Sequence, residues 1–153
     1  MLNYVMSKLT RNKQIFENYL KGDKISEISK YFGLSESYIK QILSKEKKKE
    51  ALFNKMRNNG IFWSYDKNVP YTKFNDNIII EHTLKYGDFE DIVKLTRLYG
   101  TKIVKSVWRD KMKNDERFKK VNVLIARVIL NMKIDNIESK NYERLDKIKQ
   151  FAS

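Results

Sequence analysis

Residues 35–49 carry side chains whose types and spacing suit contact with a nucleic acid. A first set recurs at intervals of one, three or four residues, which places its members on one side of a helix. This set comprises Glu36, Ser37, Lys40, Gln41 and Ser44. Glutamine can pair with adenine through two hydrogen bonds, lysine can donate to guanine O6 and N7, and Ser37 can contact either kind of base or a phosphate. The spacing therefore predicts a helix face that contacts DNA bases.

A second set surrounds the first and suits phosphate groups. Hydroxyl and ammonium groups bind phosphate oxygens and hold a protein in register on a duplex without reading its sequence. This set comprises Ser35, Tyr38, Lys45, Lys47, Lys48 and Lys49. The alternative is an ordinary helical hairpin in which both sets form a solvated face.

These side chains require a second helix before them and a sharp turn between the two. Ser29 is small where the helices would cross, and Gly33 supplies the positive φ that the turn needs. Ser35 is placed to cap the following helix, and Glu36 suits the positive end of its dipole. The apolar positions expected to close the core are Ile28, Leu34, Ile39 and Ile42. We predict a helix-turn-helix over residues 11–49, with its recognition helix beginning near Glu36.

This segment resembles region four of bacterial sigma factors and the related response-regulator output domains. The resemblance rests on the sequences EIS at 27–29 and LSESYIKQI at 34–42, which are less than a third of the chain. It departs from those families at Ser29, where alanine is usual, and at Tyr38, where a smaller residue is common. The resemblance implies major-groove DNA binding.

The remaining sequence predicts an all-α fold of two domains. Glycine is scarce and the single proline is Pro70, while apolar residues recur every three or four positions. A break near Gly60 divides the chain into a DNA-binding domain at 1–59 and a helical domain for partner binding or dimerisation at 60–153. The second domain is expected to contain helices near residues 77–86, 89–99, 102–112, 117–132 and 139–151. The aromatic cluster at 61–66 is expected to anchor the linker.

Two Tyr-Gly steps punctuate the second domain. Gly87 and Gly100 are each expected to end a helix in a left-handed turn, and Asp88 and Thr101 are each expected to cap the next helix.

The second domain also resembles a small helical domain found in bacterial antitoxin-like proteins encoded beside nucleotidyltransferase-type toxins. The resemblance rests on the sequences FWSYD at 62–66, IIIE at 78–81, YGD at 86–88 and LYG at 98–100, together with Leu84. It implies a toxin-like protein partner and autoregulation of an operon.

Charge and composition limit the classes of function. Lysine and arginine number 32 against 19 acidic residues, and the net charge of +13 favours a polyanionic partner. The chain has no cysteine and His82 is its one histidine, so a cysteine or multi-histidine metal site is excluded. We expect no metal, no cofactor and no catalytic residues. Acidic residues near 88–91 are attributed to helix capping, and no glycine-rich phosphate loop is present.

No apolar stretch approaches the roughly 20 residues that span a bilayer, and no apolar signal core is present, so a cytoplasmic protein without membrane contact is expected. The sequence predicts a DNA-binding transcriptional regulator or antitoxin-like protein. The alternative is a protein-interaction module that neutralises a toxin or other enzyme without specific DNA binding.

The sequence leaves the roles of two features of the second domain open. An apolar stripe at Tyr142, Leu145, Ile148 and Phe151 either folds back on its own domain or pairs with a second copy or a partner. A basic stretch at 109–120 is either a solvated face or a source of further backbone contacts with DNA.

Overall fold

A computed structural model describes residues 7–131, and every regular element within that range is helical. The predicted all-α class is confirmed for this part of the chain. The chain divides into two compact units, Met1–Asp76 and Asn77–Ser153. The helix predicted at 139–151 and the apolar stripe on it lie outside the described residues.

The first unit begins with three helices: α1 (Lys8–Leu20), α2 (Ile25–Phe32) and α3 (Glu36–Asn58). Each contributes apolar side chains to a common core. The buried ones include Ile15 and Phe16 from α1, Ile28 from α2, and Ile39, Ile42 and Leu43 from α3. Leu20 and Tyr31 stay exposed at the surface. The apolar periodicity therefore locates the three helices and most of the side chains between them.

The turn from α2 to α3 has the conformation that its residues predict. Gly33 is left-handed, with φ 66° and ψ 33°. The Ser35 side chain accepts a hydrogen bond from the Tyr38 backbone N–H at 3.2 Å, which caps α3. Ser29 contributes more than small size, because its hydroxyl donates to the Leu34 carbonyl and closes the turn from the α2 side.

The aromatic segment that follows α3 belongs to the first unit. Gly60 turns the chain with φ 76°, and the Phe62 and Phe74 rings then pack on Phe53 of α3, with centroids at 5.3 and 4.9 Å. Arg57 of α3 donates to the carbonyls of Lys67 and Val69, which holds the intervening loop.

A short 3₁₀ helix, Tyr71–Lys73, completes this segment. The boundary between units thus falls after Asp76, later than the break after Asn59 that the turn residues indicate. The reason is that Phe62, Tyr71 and Phe74 are buried with α3, whereas Trp63 is left exposed.

The second unit contains four α-helices among its described residues: α4 (Asp76–Tyr86), α5 (Phe89–Tyr99), α6 (Thr101–Lys111) and α7 (Lys119–Leu124). A 3₁₀ helix, Glu116–Phe118, precedes α7, and a π-helical segment, Ile125–Ile129, follows it. The predicted helices at 77–86, 89–99 and 102–112 are confirmed to within one residue at each end. The core includes Ile79, Ile80, Leu84, Ile92, Leu95, Val104, Val107, Trp108, Ile125 and Ala126.

The two Tyr-Gly steps differ in structure. Asp88 caps α5 by accepting from the Asp91 N–H at 2.8 Å, as predicted. Gly100 ends α5 with a positive φ of 87°, but its ψ of 145° lies outside the left-handed helical region that was expected. The left-handed assignment is wrong for Gly87, whose φ is not positive. Glycine is needed there because a Cβ would lie 2.6 Å from the Thr83 carbonyl oxygen. The capping role is also wrong for Thr101, which is already the first residue of α6.

We expect Gly33→Val to lower the free energy of unfolding of the first unit by about 1–2 kcal/mol, because a side chain with a Cβ is disfavoured in the left-handed region. A Cβ at Gly33 would meet nothing within 4 Å, so the backbone conformation alone causes the loss. Urea unfolding measures the change. Gly33→Asn is the matched control and should lose less, because asparagine tolerates this region. Equal unfolding midpoints for the valine variant and the wild type would contradict this account of the turn.

Candidate nucleic-acid interface

The predicted base-contacting residues lie together on the outer face of α3. All of Glu36, Ser37, Lys40, Gln41 and Ser44 are exposed. The opposite side of the same turns is buried through Ile39, Ile42 and Leu43. The first two turns of α3 therefore present a continuous polar face.

Two residues at the start of α3 stabilise the N-terminal end of this face. The Ser35 side chain is committed as the cap of α3, and its hydroxyl hydrogen remains able to donate. Glu36 supplies the acidic group of the first turn, where its negative charge interacts favourably with the positive end of the helix dipole. This end of α3 is thus capped and polar before any ligand is considered.

Tyr38 is partly buried because Arg11 of α1 covers it. The Arg11 guanidinium donates to the Tyr38 hydroxyl at 3.3 Å and lies 5.8 Å from the ring centroid. It is also fixed by Asn12, whose side-chain oxygen accepts from Arg11 at 3.1 and 3.2 Å. Arg11 places a cation beside the start of α3. Sequence reasoning missed it, because the pairing joins residues 27 positions apart.

The lysines after the polar face do not share one environment. Lys45, Lys47 and Lys48 are exposed, and the Lys47 ammonium lies 5.1 Å from the centroid of the Tyr19 ring on α1. These three keep the exposure that the predicted phosphate contacts require.

Lys49 departs from the prediction, because its side chain is only 4% exposed. Its ammonium lies 3.6 Å from a carboxylate oxygen of Glu46, which is buried as well, and the Tyr71 hydroxyl donates to the other oxygen of that carboxylate. Burial lowers the pKa of Lys49, and the charge of Glu46 opposes this effect. A phosphate cannot reach Lys49 in this position.

The helical period provides the signal that could have separated Lys49 from its neighbours. Ile39 and Ile42 lie on the buried side of α3, and Glu46 and Lys49 come about two turns later on that side. The same side continues through Phe53 and Met56. The burial of Lys49 therefore follows from its position on the helix and not from its charge.

A second buried lysine extends this ionic cluster. Lys13 of α1 lies 3.1 Å from an Asp76 carboxylate oxygen and donates to the Phe74 carbonyl. Burial lowers the pKa of Lys13, while the charge of Asp76 raises it. We call Lys13, Glu46, Lys49, Tyr71 and Asp76 the buried ionic cluster. It fixes α1 and the 71–76 segment to the inner side of α3.

Other candidate sites have structural roles in the described range. Asp88 and Asp91 cap α5 reciprocally, since the Asp91 carboxylate also accepts from the Asp88 N–H at 3.3 Å. Between residues 7 and 131 no three His, Asp or Glu side chains are grouped to hold a metal ion. No helix in that range combines the length and apolar character needed to cross a membrane.

Comparison of the chain with protein-family models, with curated proteins and with solved structures found no match.

We expect Lys49→Met to lower the free energy of unfolding by about 3 kcal/mol or more, because it leaves the buried Glu46 carboxylate without its cation. Lys48→Met, the matched control one residue away, should change it by less than about 0.5 kcal/mol because Lys48 is exposed. Chemical denaturation followed by circular dichroism measures both.

The double variant Glu46→Leu/Lys49→Met should recover part of the stability lost in Lys49→Met, because replacing both members of a buried pair removes the cost of desolvating them, while the Tyr71 hydroxyl loses its bond to Glu46. Equal stability losses for Lys48→Met and Lys49→Met would contradict the buried position of Lys49.

Proposed function

We propose that this chain binds double-stranded DNA through a helix-turn-helix formed by α2 and α3, with the first turns of α3 in the major groove. One observation carries the proposal. The exposed side of those turns bears only side chains suited to base edges, and it follows directly on the short turn at Gly33. A helix with its side chains is about 10–12 Å across and the major groove is about 12 Å wide, so the dimensions agree.

Base contacts are assigned to the face from Glu36 to Ser44. Gln41 would pair with adenine, Lys40 would donate to guanine, and Glu36 would accept from cytosine. Ser37 and Ser44 are short, and would contact bases or adjacent phosphates where the helix lies closest to the groove floor.

Phosphate contacts are assigned to Ser35, Tyr38, Lys45, Lys47 and Lys48. Arg11 joins this set, because its guanidinium is already held beside the Tyr38 hydroxyl. Lys49 is omitted, since it is buried with Glu46. Together these groups surround the base-contacting face with donors.

In this proposal the protein is a transcriptional regulator or antitoxin-like protein and not an enzyme. One helix-turn-helix reads only a few base pairs, and regulators commonly pair two copies on a two-fold site. The second unit is assigned to that pairing or to a toxin-like partner.

Selecting duplexes from a random pool by their binding to the full chain tests the proposal. Fluorescence anisotropy on the selected duplex and on a scrambled duplex of equal length, at about 50 to 200 mM salt, then gives the specificity and the salt dependence. We expect tighter binding to the selected duplex. A chain that enriches no sequence and binds no duplex at low salt would refute DNA binding and favour the protein-interaction module.

Lys40→Ala and Gln41→Ala should each weaken binding to the selected duplex by about 1–3 kcal/mol, because each removes a hydrogen-bonding group that meets a base. Affinity for the scrambled duplex should change much less. Asn54→Ala is the control, because Asn54 is an exposed residue of the same helix and lies about 21 Å along the helix axis from Lys40. Unchanged specific affinity in both alanine variants would remove these residues from the base-contacting face.

The triple variant Lys45→Gln/Lys47→Gln/Lys48→Gln should weaken binding to every duplex alike. The slope of log K against log[salt] should decrease in magnitude by about 0.9 for each phosphate that the variant no longer binds, because fewer counterions are released. Titrations at several salt concentrations measure the slope. A weakening confined to the selected duplex would show that these lysines read sequence instead.

A further inference from the structure

The second unit has a positively charged helix face of its own. Lys102, Lys105, Ser106 and Arg109 recur at intervals of three, one and three along α6, which places them on one side of the helix. Lys102, Ser106 and Arg109 are exposed and Lys105 is half-buried. The other side of α6 is buried in the core through Val104, Val107 and Trp108. We call the four polar residues the α6 basic face.

The charges of this face are not balanced within the described part of the chain. Between residues 7 and 131, Lys102, Lys105 and Arg109 have no carboxylate within ion-pair distance. Like charges three or four positions apart on a helix repel each other. The first turn of α6 contains no acidic residue and no side chain caps the helix, so Lys102 also faces the positive end of the helix dipole.

On each of the neighbouring helices α4 and α5 one lysine is paired with a carboxylate, whereas Arg97 of α5 has no carboxylate within ion-pair distance among the described residues. On α4 the Lys85 ammonium lies 2.7 Å from a Glu81 carboxylate oxygen. On α5 the corresponding distance from Lys94 to Glu90 is 3.9 Å, and the first turn is acidic. What distinguishes α6 is that none of the three cations on its basic face is paired, although the exposed Asp110 lies on the same helix.

The α6 basic face is held rigidly. The Trp108 indole N–H donates to the Asn122 side-chain oxygen at 3.1 Å, and the Asn122 amide donates to the Met112 carbonyl at 2.8 Å. These bonds fix the C-terminal end of α6 and the chain that leaves it. The helix that carries the cations therefore needs no ordering when it meets a row of anions, and only the side chains lose conformational freedom.

The face also has the length that a row of phosphates requires. Lys102 and Arg109 are about 10 Å apart along the helix, at about 1.5 Å per residue. Successive nucleotides of one DNA strand advance about 3.4 Å along the duplex axis, so roughly two or three phosphates fall within reach. Ser106 lies between the cations and can donate a hydrogen bond to a phosphate oxygen.

We propose that the α6 basic face is a second phosphate-binding surface, which contacts the duplex backbone and reads no sequence. Its choice of ligand rests on the proposed DNA binding, while its location and charge do not. The surface would extend the region of the protein that binds DNA and add to the salt dependence of binding, whereas the specificity would remain with α3.

The test compares two matched double variants of the full chain. Lys102→Gln/Arg109→Gln removes one lysine and one arginine from the α6 basic face. Lys94→Gln/Arg97→Gln removes the same charges from the exposed surface of α5. All four positions are exposed, so both variants should melt as the wild type does, which circular dichroism verifies. Binding is measured by anisotropy at about 50 to 200 mM salt on the selected duplex and on the scrambled duplex.

We expect the α6 variant to bind both duplexes more weakly by the same factor. If this variant binds two fewer phosphates, the ratio of wild-type to variant affinity should grow about twelvefold between roughly 200 and 50 mM salt, because the slope falls by about 0.9 per phosphate. The α5 variant should keep a slope close to that of the wild type.

Two results would overturn the inference: unchanged DNA binding by the α6 variant, or an equal weakening in the α5 variant. Failure of the proposed α3 function is distinguishable, because it would appear as equal affinity for the selected and scrambled duplexes. The α6 variant would still weaken binding to both if the inference is correct.

Discussion

The burial of one side of α3 is the constraint on which the first unit depends. Ile39, Ile42 and Leu43 are enclosed by α1 and α2, and this fixes the rotation of α3 about its own axis. With about 3.6 residues per turn, the polar side chains between them can only face outward. The same rotation carries the buried side onward to Glu46 and Lys49, where the contacts become ionic. The candidate interface and the buried ionic cluster are therefore opposite sides of one helix, positioned by the same apolar contacts.

Much of this organisation could be predicted from local sequence. The turn at Gly33, the cap at Ser35 and the helices α4 to α6 follow from residue types whose conformational preferences act within a few positions. The predictions that are wrong concern positions whose structure depends on packing against other parts of the chain. Gly87 is required by the nearby Thr83 carbonyl and not by a left-handed turn.

Lys49 shows the same limit. Lys49 is charged, but the packing of the 71–76 segment on α3 encloses it. The packing of Phe62 and Phe74 on Phe53 likewise joins the aromatic segment to α3, and the turn residues do not reveal it. The pairing of Arg11 with Tyr38 joins two helices and has no local signature. The base-contacting face itself stays a prediction of residue type and spacing.

The two tryptophans of the chain occupy contrasting environments, one in each unit. Trp63 follows α3 and is 63% exposed, whereas Trp108 is 1% exposed and hydrogen-bonded to Asn122. A shielded indole emits at shorter wavelength than one in contact with water, so their fluorescence bands should differ. A soluble quencher should reduce the Trp63 emission first. The natural sequence thus contains two intrinsic optical reporters, through which changes in each unit can be followed separately without an added label.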